Sequence, residues 1–426
     1  MAKITQKTRN TIFNEAKALQ KELIEIRRRI HGYAEIGFDL PQTKAFVKEK
    51  LTQIGCQPID CGKAGIIADI GRSEDKKAFL LRADMDALPI KEETGLFFAA
   101  KNGNMHACGH DMHTAMLLGA AKIIKEHEGE LKQRVRLMFQ PAEEKLQGAR
   151  DMIESGVLHR PPVKGAMMLH VLTGTPLPSG TVVVSSKGVT APAADYFTVT
   201  VQGKGCHGSM PQEGIDALNA LAHIYIALQE IPARELSISQ PAVLTVGQLQ
   251  AGAAANVLPD SAVMQGTLRT YDERTRSRLK KRIVEIARAV AIAFRAKANV
   301  TFDSGCPTLK NDEKISRLAY TAIRAILQKS DGESSNESGD EAGDVTHNIT
   351  VFTSEQLNDG KRVSGGGSED FAYVSHKVPS VMVALAAGGE KEGCGYPLHH
   401  PKTRFDENVL YIGSAIYAAM AFGKNL

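Results

Sequence analysis

The segment MHACGHDMH, residues 105–113, places His106, Cys108, His110 and His113 within one short stretch. Imidazole and thiolate, joined by carboxylates, are the donor set of zinc or a similar borderline divalent ion. Carboxylates are available in two further places, Asp84 and Asp86 in LRADMDALP and Glu143 and Glu144 in FQPAEE. His170, His207, His399 and His400 stand in polar segments punctuated by Gly and Pro. Donors scattered this widely, several of them acids, point to two ions rather than one structural zinc. A structural zinc would show paired C-x-x-C knuckles, and the sequence has none. The adjacent pair Glu143 and Glu144 has its own logic. Neighbours in a turn point in different directions, so one carboxylate can bind an ion while the other faces a water. An ion can lower the pKa of that water to about 7. The free carboxylate can then take the proton and pass it to a leaving nitrogen. The bland alternative for such a pair is an exposed acidic loop before a helix.

These side chains need elements that bring them together. Short apolar runs read as strands over residues 65–70, 78–82, 134–139 and 165–169, and helices are expected over 40–54 and 111–126. Strands alternating with helices predict an α/β sheet covered on both faces. Asp84 and Asp86, then Glu143 and Glu144, then His170 each follow one of these strands, at the edge where open α/β sheets bind ligands. Residues 192–303 differ: strand 196–201, helix 215–231, strands 242–249 and 262–269, helix 272–295 and strand 299–302 give the order βαββαβ of a ferredoxin-like sandwich. The expected organisation is therefore a mixed-sheet α/β domain from residues 1–191 and 305–426, with a small domain inserted at 192–304. The first domain resumes with a helix over 312–327 and a strand over 380–386.

Bulk properties narrow the classes. The 426 residues are 43% hydrophobic and 23% charged, with a net charge of +4, so neither nucleic acid nor an anionic membrane is called for. No apolar run approaches the roughly 20 residues of a membrane helix. The N-terminal segment has no signal-peptide core. Ile12, Phe13, Ala16, Leu19, Leu23, Ile26 and Ile30 repeat there at helical spacing, which reads as a helix packed on a core. Six scattered cysteines fit a reducing, cytoplasmic location. The acidic stretch at residues 331–344 reads as a solvated loop and lacks the spacing of a calcium loop.

Taken in order, LRADMDALP, MHACGHDMHTAMLLGAA, FQPAEE, CHGSMP, NVLPD, GTLRT, GGSEDFAY and PLHHPKTRFDE resemble the M20 metallopeptidase family, nearest its aminoacylase, hippurate hydrolase and auxin-conjugate hydrolase branch. The resemblance covers nearly the whole chain. It implies a catalytic domain of the zinc-exopeptidase type and an inserted lid that also dimerises. It implies two divalent ions per subunit, Mn or Zn, with Co or Ni as alternatives. Their ligands would be Cys108, His110, Glu144, His170 and His399, with His399 preferred to its neighbour His400. Glu143 would be the general base and Asp86 an acid that orients the site, while Asp84 is left open between a cap and a supporting role. His106 and His113 would flank the ligands. His207 would donate to the developing oxyanion, across a homodimer interface in one version. Asn256, Arg269 and Gly367 would contact the substrate, and Glu369 is open between helix-end electrostatics and catalysis. Cys206 and Cys394, beside these motifs, have no assigned task. The implied reaction is metal-dependent hydrolysis of the amide in a small N-acyl amino acid or dipeptide. Alternatives are a dipeptidase or carboxypeptidase of the same family, a cysteine hydrolase built on Cys108, and a non-catalytic metal-dependent binding protein. The cysteine hydrolase leaves Glu143, Glu144, His170 and His399 without a task. A binding protein should have lost its base or a ligand, and none is lost.

Overall fold

The computed structural model describes residues 6–72, 74, 76–327, 349–357 and 367–423. The acidic stretch at 331–344 lies outside the described residues. The chain forms two compact units, one from residues 1–190, 310–364 and 373–426, the other from 191–309 and 365–372.

The larger unit is built on an eight-stranded mixed sheet. From edge to edge its strands are Ile59–Cys61, Gly65–Ile70, Arg134–Gln140, Ala78–Asp84, Val163–Leu172, Ser380–Ala386, Val182–Val184 and Val351–Thr353. The four central strands run parallel, and the antiparallel pairings lie toward the edges. Every residue of Ala78–Asp84 is buried, as a parallel strand covered on both faces requires. Asp84 pairs with Gln140 in register, so the turns that follow those two strands leave the sheet at the same level.

Two helices cover the sheet behind the site. All of Leu410–Phe422 is buried, as is His110–Glu126 apart from a few positions in its C-terminal half. Against them pack Ile12, Ala16, Leu23, Ile26 and Ile30 from the N-terminal region. That region forms two helices, Gln6–Ala18 and Gln20–Tyr33, rather than the single one that the apolar repeat predicts. At the break the Leu19 amide is shared between the carbonyls of Glu15 and Ala16, a tightened turn that leaves the buried stripe in phase. No described helix is long and apolar enough to cross a membrane. All six cysteines are free thiols.

The smaller unit has strands Ala193–Gln202, Ala242–Ala251, Ser261–Thr270 and Lys297–Cys306 and helices Ala217–Leu228 and Glu273–Ala293. Counted within the unit, the antiparallel sheet has strand order 2-3-1-4, the arrangement of a ferredoxin-like βαββαβ sandwich. Each helix starts on an aspartate whose carboxylate accepts a backbone N–H, Asp216 from Asn219 and Asp272 from Thr275. Their apolar faces, Leu221, Ile224, Leu279 and Ile283 among them, form a core separate from that of the larger unit.

Candidate metal centre

Three sheet strands and one helix start converge on a buried cluster in the larger unit. The loop at 106–110 comes first. Gly109, between Cys108 and His110, has φ 83°, and a Cβ there would sit 2.4 Å from Val171 Cγ2 and 3.0 Å from the Phe405 ring. Only glycine supplies both the left-handed backbone and the close approach. Next to it His110 opens the His110–Glu126 helix, so His110, His113 and Thr114 face one way and Asp111 another.

Each histidine declares its tautomer. His110 Nδ1 donates to the Asp86 carbonyl at 2.8 Å, and its Nε2, buried, has no hydrogen-bond partner. His170 Nδ1 lies 2.7 Å from the Val171 carbonyl, which turns Nε2 toward Cys108 Sγ at 3.6 Å. His113 has both nitrogens committed: Nε2 accepts from the Val171 amide at 2.9 Å, and Nδ1 donates to Asp84 at 2.6 Å. Burial holds His113 down at about 4, so it stays neutral. It braces the site without a lone pair to offer an ion. His106 is buried and packs its ring 6.0 Å from His31.

From the other side the turn after Arg134–Gln140 delivers the acids. It closes so tightly that a Cβ on Gly148 would lie 1.6 Å from the Pro141 carbonyl oxygen. Ala142 sits in the left-handed region at φ 53°. Asp86 fixes the result, with its carboxylate accepting the amide of Glu143 at 3.0 Å and that of Glu144 at 3.4 Å. Glu144 Oε1 is then 3.8 Å from His110 Nε2 and 3.5 Å from His399 Nε2, and has no hydrogen-bond partner. Glu143 Oε2 stands 3.9 Å from His110 Nε2. His399 arrives on a loop pinned to the 106–110 loop by its amide, which donates to the Ala107 carbonyl, and places Nε2 3.3 Å from Cys108 Sγ.

Cys108 is thus shared. Its sulfur belongs to a group with His110 and His170 and to another with Glu144 and His399, the donor atoms of each group lying within 4.8 Å of one another. Burial and the Glu144 charge work against ionising Cys108, but His170 and His110 outweigh them and hold the thiol down at about 6. The hydrogen bond to Cys108 and the Glu144 carboxylate beside it raise His399 to about 10. A shared thiolate, two orphaned buried polar atoms and imidazole rings aimed at them fit a pair of divalent cations. His400 takes no part. Its Nδ1 accepts from the Lys402 amide, and its ring stacks on Tyr396 at 4.4 Å.

Two features were not legible in sequence motifs. His170 lies inside the strand Val163–Leu172 rather than after it. Asp84 is no turn cap: its carboxylate lies between the guanidinium of Arg82 at 2.6 Å and His113, and its Oδ2 is 3.7 Å from His110 Nε2. Burial resists its ionisation, but Arg82 and the two histidines hold it well below the usual carboxylate range. Arg82 and Asp84 are i and i+2 on one strand face, which is the signal that could have found the pair.

In the smaller unit the strand Cys206–His207 pairs with Val257–Leu258, and the Gly208 amide donates to the Asn256 carbonyl. His207 and Asn256 are therefore neighbours. His207 Nδ1 accepts from the Ser209 amide and hydroxyl, which leaves the proton on Nε2 of an exposed ring. Arg269 donates to the Ser368 hydroxyl at 2.5 Å, next to Gly367, and lies over the Tyr196 ring. Glu369 Oε1 accepts the Phe371 amide.

Comparison with known proteins agrees with this geometry. Residues 80–422 match the model of peptidase family M20/M25/M40. N-acetyl-L-cysteine deacetylase of Bacillus subtilis is 37% identical over 92% of this chain and 85% of its own length. N-acyl-L-amino acid amidohydrolase of Geobacillus stearothermophilus is 36% identical over 76% of this chain and 88% of its own. The crystal structure of a Bacillus subtilis dinuclear metal-binding peptidase from the M20 family superposes with a TM-score of 0.73 at 31% identity, covering 95% of this chain and 98% of that one. By its sequence, its sheet and its cluster of donors, the chain belongs to peptidase family M20/M25/M40.

Proposed function

We propose that this hydrolase cleaves the amide bond of small N-acyl amino acids, and that Cys108, His110, Glu144, His170 and His399 hold two divalent ions for it. The observation that carries the reading is Cys108, shared between two groups of donors. The deacetylase and amidohydrolase relatives support the substrate class.

Bound ions supply Lewis acidity, which polarises the amide carbonyl and makes water acidic near neutral pH. The chain's own residues do the rest. Glu143, buried and held by Asp86 through its amide, takes the proton of the attacking water on its carboxylate and delivers it to the departing nitrogen. Glu144, whose amide is held by the same aspartate, would supply its carboxylate to the metal site. Asp84 and His113 fix the first turn of the ligand-bearing helix. His207 offers an Nε2–H to the developing oxyanion, and Arg269, Asn256 and Gly367 are assigned to the rest of the substrate. Arg269 suits a carboxylate because its planar fork can make two parallel hydrogen bonds.

Mn or Zn is the proposed metal. The protein stripped with chelator should release no amino acid from a panel of N-acetyl, N-benzoyl and dipeptide substrates. Reloading with Mn(II) or Zn(II) should restore release. Activity that survives chelation but is lost to a thiol alkylator would move the assignment to Cys108 as a nucleophile.

The smaller unit is also proposed to join two copies. Its edge strand Ala242–Ala251 exposes Val243 and Leu249, and the helix Ala217–Leu228 exposes Leu218, Tyr225 and Ile226. An uncovered edge strand invites pairing with another chain. Sedimentation should give a dimer for the wild type and a monomer for Val243→Lys with Leu249→Lys. A doubly substituted protein that stays dimeric would place the interface elsewhere.

A further inference from the structure

Behind the ligand loop, on the face of the His110–Glu126 helix opposite Asp84, lies a chain of buried charges that the reaction does not use. Asp111 Oδ2 accepts from Arg27 Nε at 2.8 Å and from His31 Nδ1 at 2.9 Å. His31 Nε2 continues to Glu92 Oε2 at 3.0 Å, and Glu92 in turn accepts the Ala100 amide and the Thr94 hydroxyl. Arg27 also reaches Glu407 at 2.9 Å, and Arg28 shares that carboxylate. Arg27 and His31 are each 1% exposed and Asp111 is fully buried. The Arg27 guanidinium lies over the Phe98 ring at 5.2 Å.

Buried ion pairs contribute little to stability compared with apolar replacements, so stability alone does not account for such a chain. What it does fix is position. Asp111 is bonded to His110 through one peptide. That peptide is held from one side by His110 Nδ1 on the Asp86 carbonyl and from the other by Asp111 on Arg27 and His31. The chain's other ends grip the 92–100 segment and Glu407, which precedes the buried Leu410–Phe422 helix. We propose that Arg27, His31 and Asp111 are positioning residues for the metal centre, setting the aim of His110 and the path of the Cys108 loop through the backbone.

The inference rests on the metal reading above, and the test separates the two. Mn(II) affinity is measured by competition with a chromogenic chelator on the full chain, stripped of metal, with far-UV circular dichroism on the same samples. Wild type should bind two ions, and wild type that binds none overturns the metal reading and with it this proposal. Asp111→Asn keeps the side-chain shape and removes its charge. It should weaken Mn(II) binding about 10–100-fold, the range for loss of an outer-shell partner, with the metal-free spectrum unchanged. Arg27→Gln combined with Asp111→Asn leaves no lone buried charge between those two positions, so it keeps a foldable core if the single variant does not. It should show the same loss of affinity. Wild-type affinity in a folded variant, against a wild type that binds, overturns the proposal alone.

Discussion

Glu143→Gln is expected to lower turnover of N-acyl amino acids about 10²–10⁴-fold while the protein still binds its metal. The two halves of that result come from geometry. The amides of Glu143 and Glu144 are both tied to Asp86, so the turn keeps its shape when one side chain becomes an amide. Glu143 stands outside the two donor groups centred on Cys108 and meets His110 and Glu144 in a separate one, whereas Glu144 also belongs to a group with Cys108 and His399. Glutamine matches the shape of glutamate but cannot accept and return a proton. The neighbouring substitution is the control: Glu144→Gln should lose metal affinity together with activity. Metal analysis and steady-state assays at saturating metal read both. Near-normal turnover in Glu143→Gln would end its assignment as the base. A Glu143→Gln protein that is inactive only because it has lost metal would make it a ligand.

How far the sequence disclosed this arrangement depends on whether a residue acts through its neighbours in the chain or through distant ones. Cys108 and His110 were visible because a helix start compresses donors into one turn, and Glu143 with Glu144 because a turn can splay an acidic pair. The ferredoxin-like unit was visible because its strands alternate and its helices begin on Asp216 and Asp272. His170 was placed after its strand, since the apolar run stops at Leu169; register with Ser380–Ala386 carries the strand on to Leu172. The N-terminal stripe gave the buried face correctly but not the break at Leu19, because periodicity reports phase and not continuity. Arg27 and His31 are i and i+4 within an apolar helix face, a spacing that marks a buried pair. Their partner Asp111 is 84 residues away from Arg27, and only the fold brings them together.

Asp84→Ala carries the largest expected loss of stability, because it removes a buried counter-ion of Arg82. Arg82 and Asp84 have no exposed side-chain surface, and the guanidinium reaches the carboxylate at 2.6 Å and Gln140 at 2.9 Å. Gln140 is neutral, so alanine at 84 leaves the Arg82 charge without this buried counter-ion. Breaking such a pair from one side costs about 3–5 kcal/mol. His113 Nδ1 also loses its acceptor, which releases the histidine that braces the ligand-bearing helix against the Val171 amide. The measurement is urea unfolding of the metal-free protein, followed by circular dichroism because the chain has no tryptophan. Asp84→Asn should lose less, since its amide oxygen still accepts from His113. Arg82→Met with Asp84→Asn should recover most of what Asp84→Ala loses, as buried pairs replaced on both sides often do. An Asp84→Ala protein within about 1 kcal/mol of wild type would mean that Arg82 is neutralised elsewhere. Arg82→Met with Asp84→Ala, which restores the charge balance but leaves His113 Nδ1 without its Asp84 acceptor, should recover stability and not metal affinity; that outcome would separate two tasks proposed for Asp84, balancing the charge of a buried strand and holding His113 so that the first turn of the helix aims His110 at the proposed metal site.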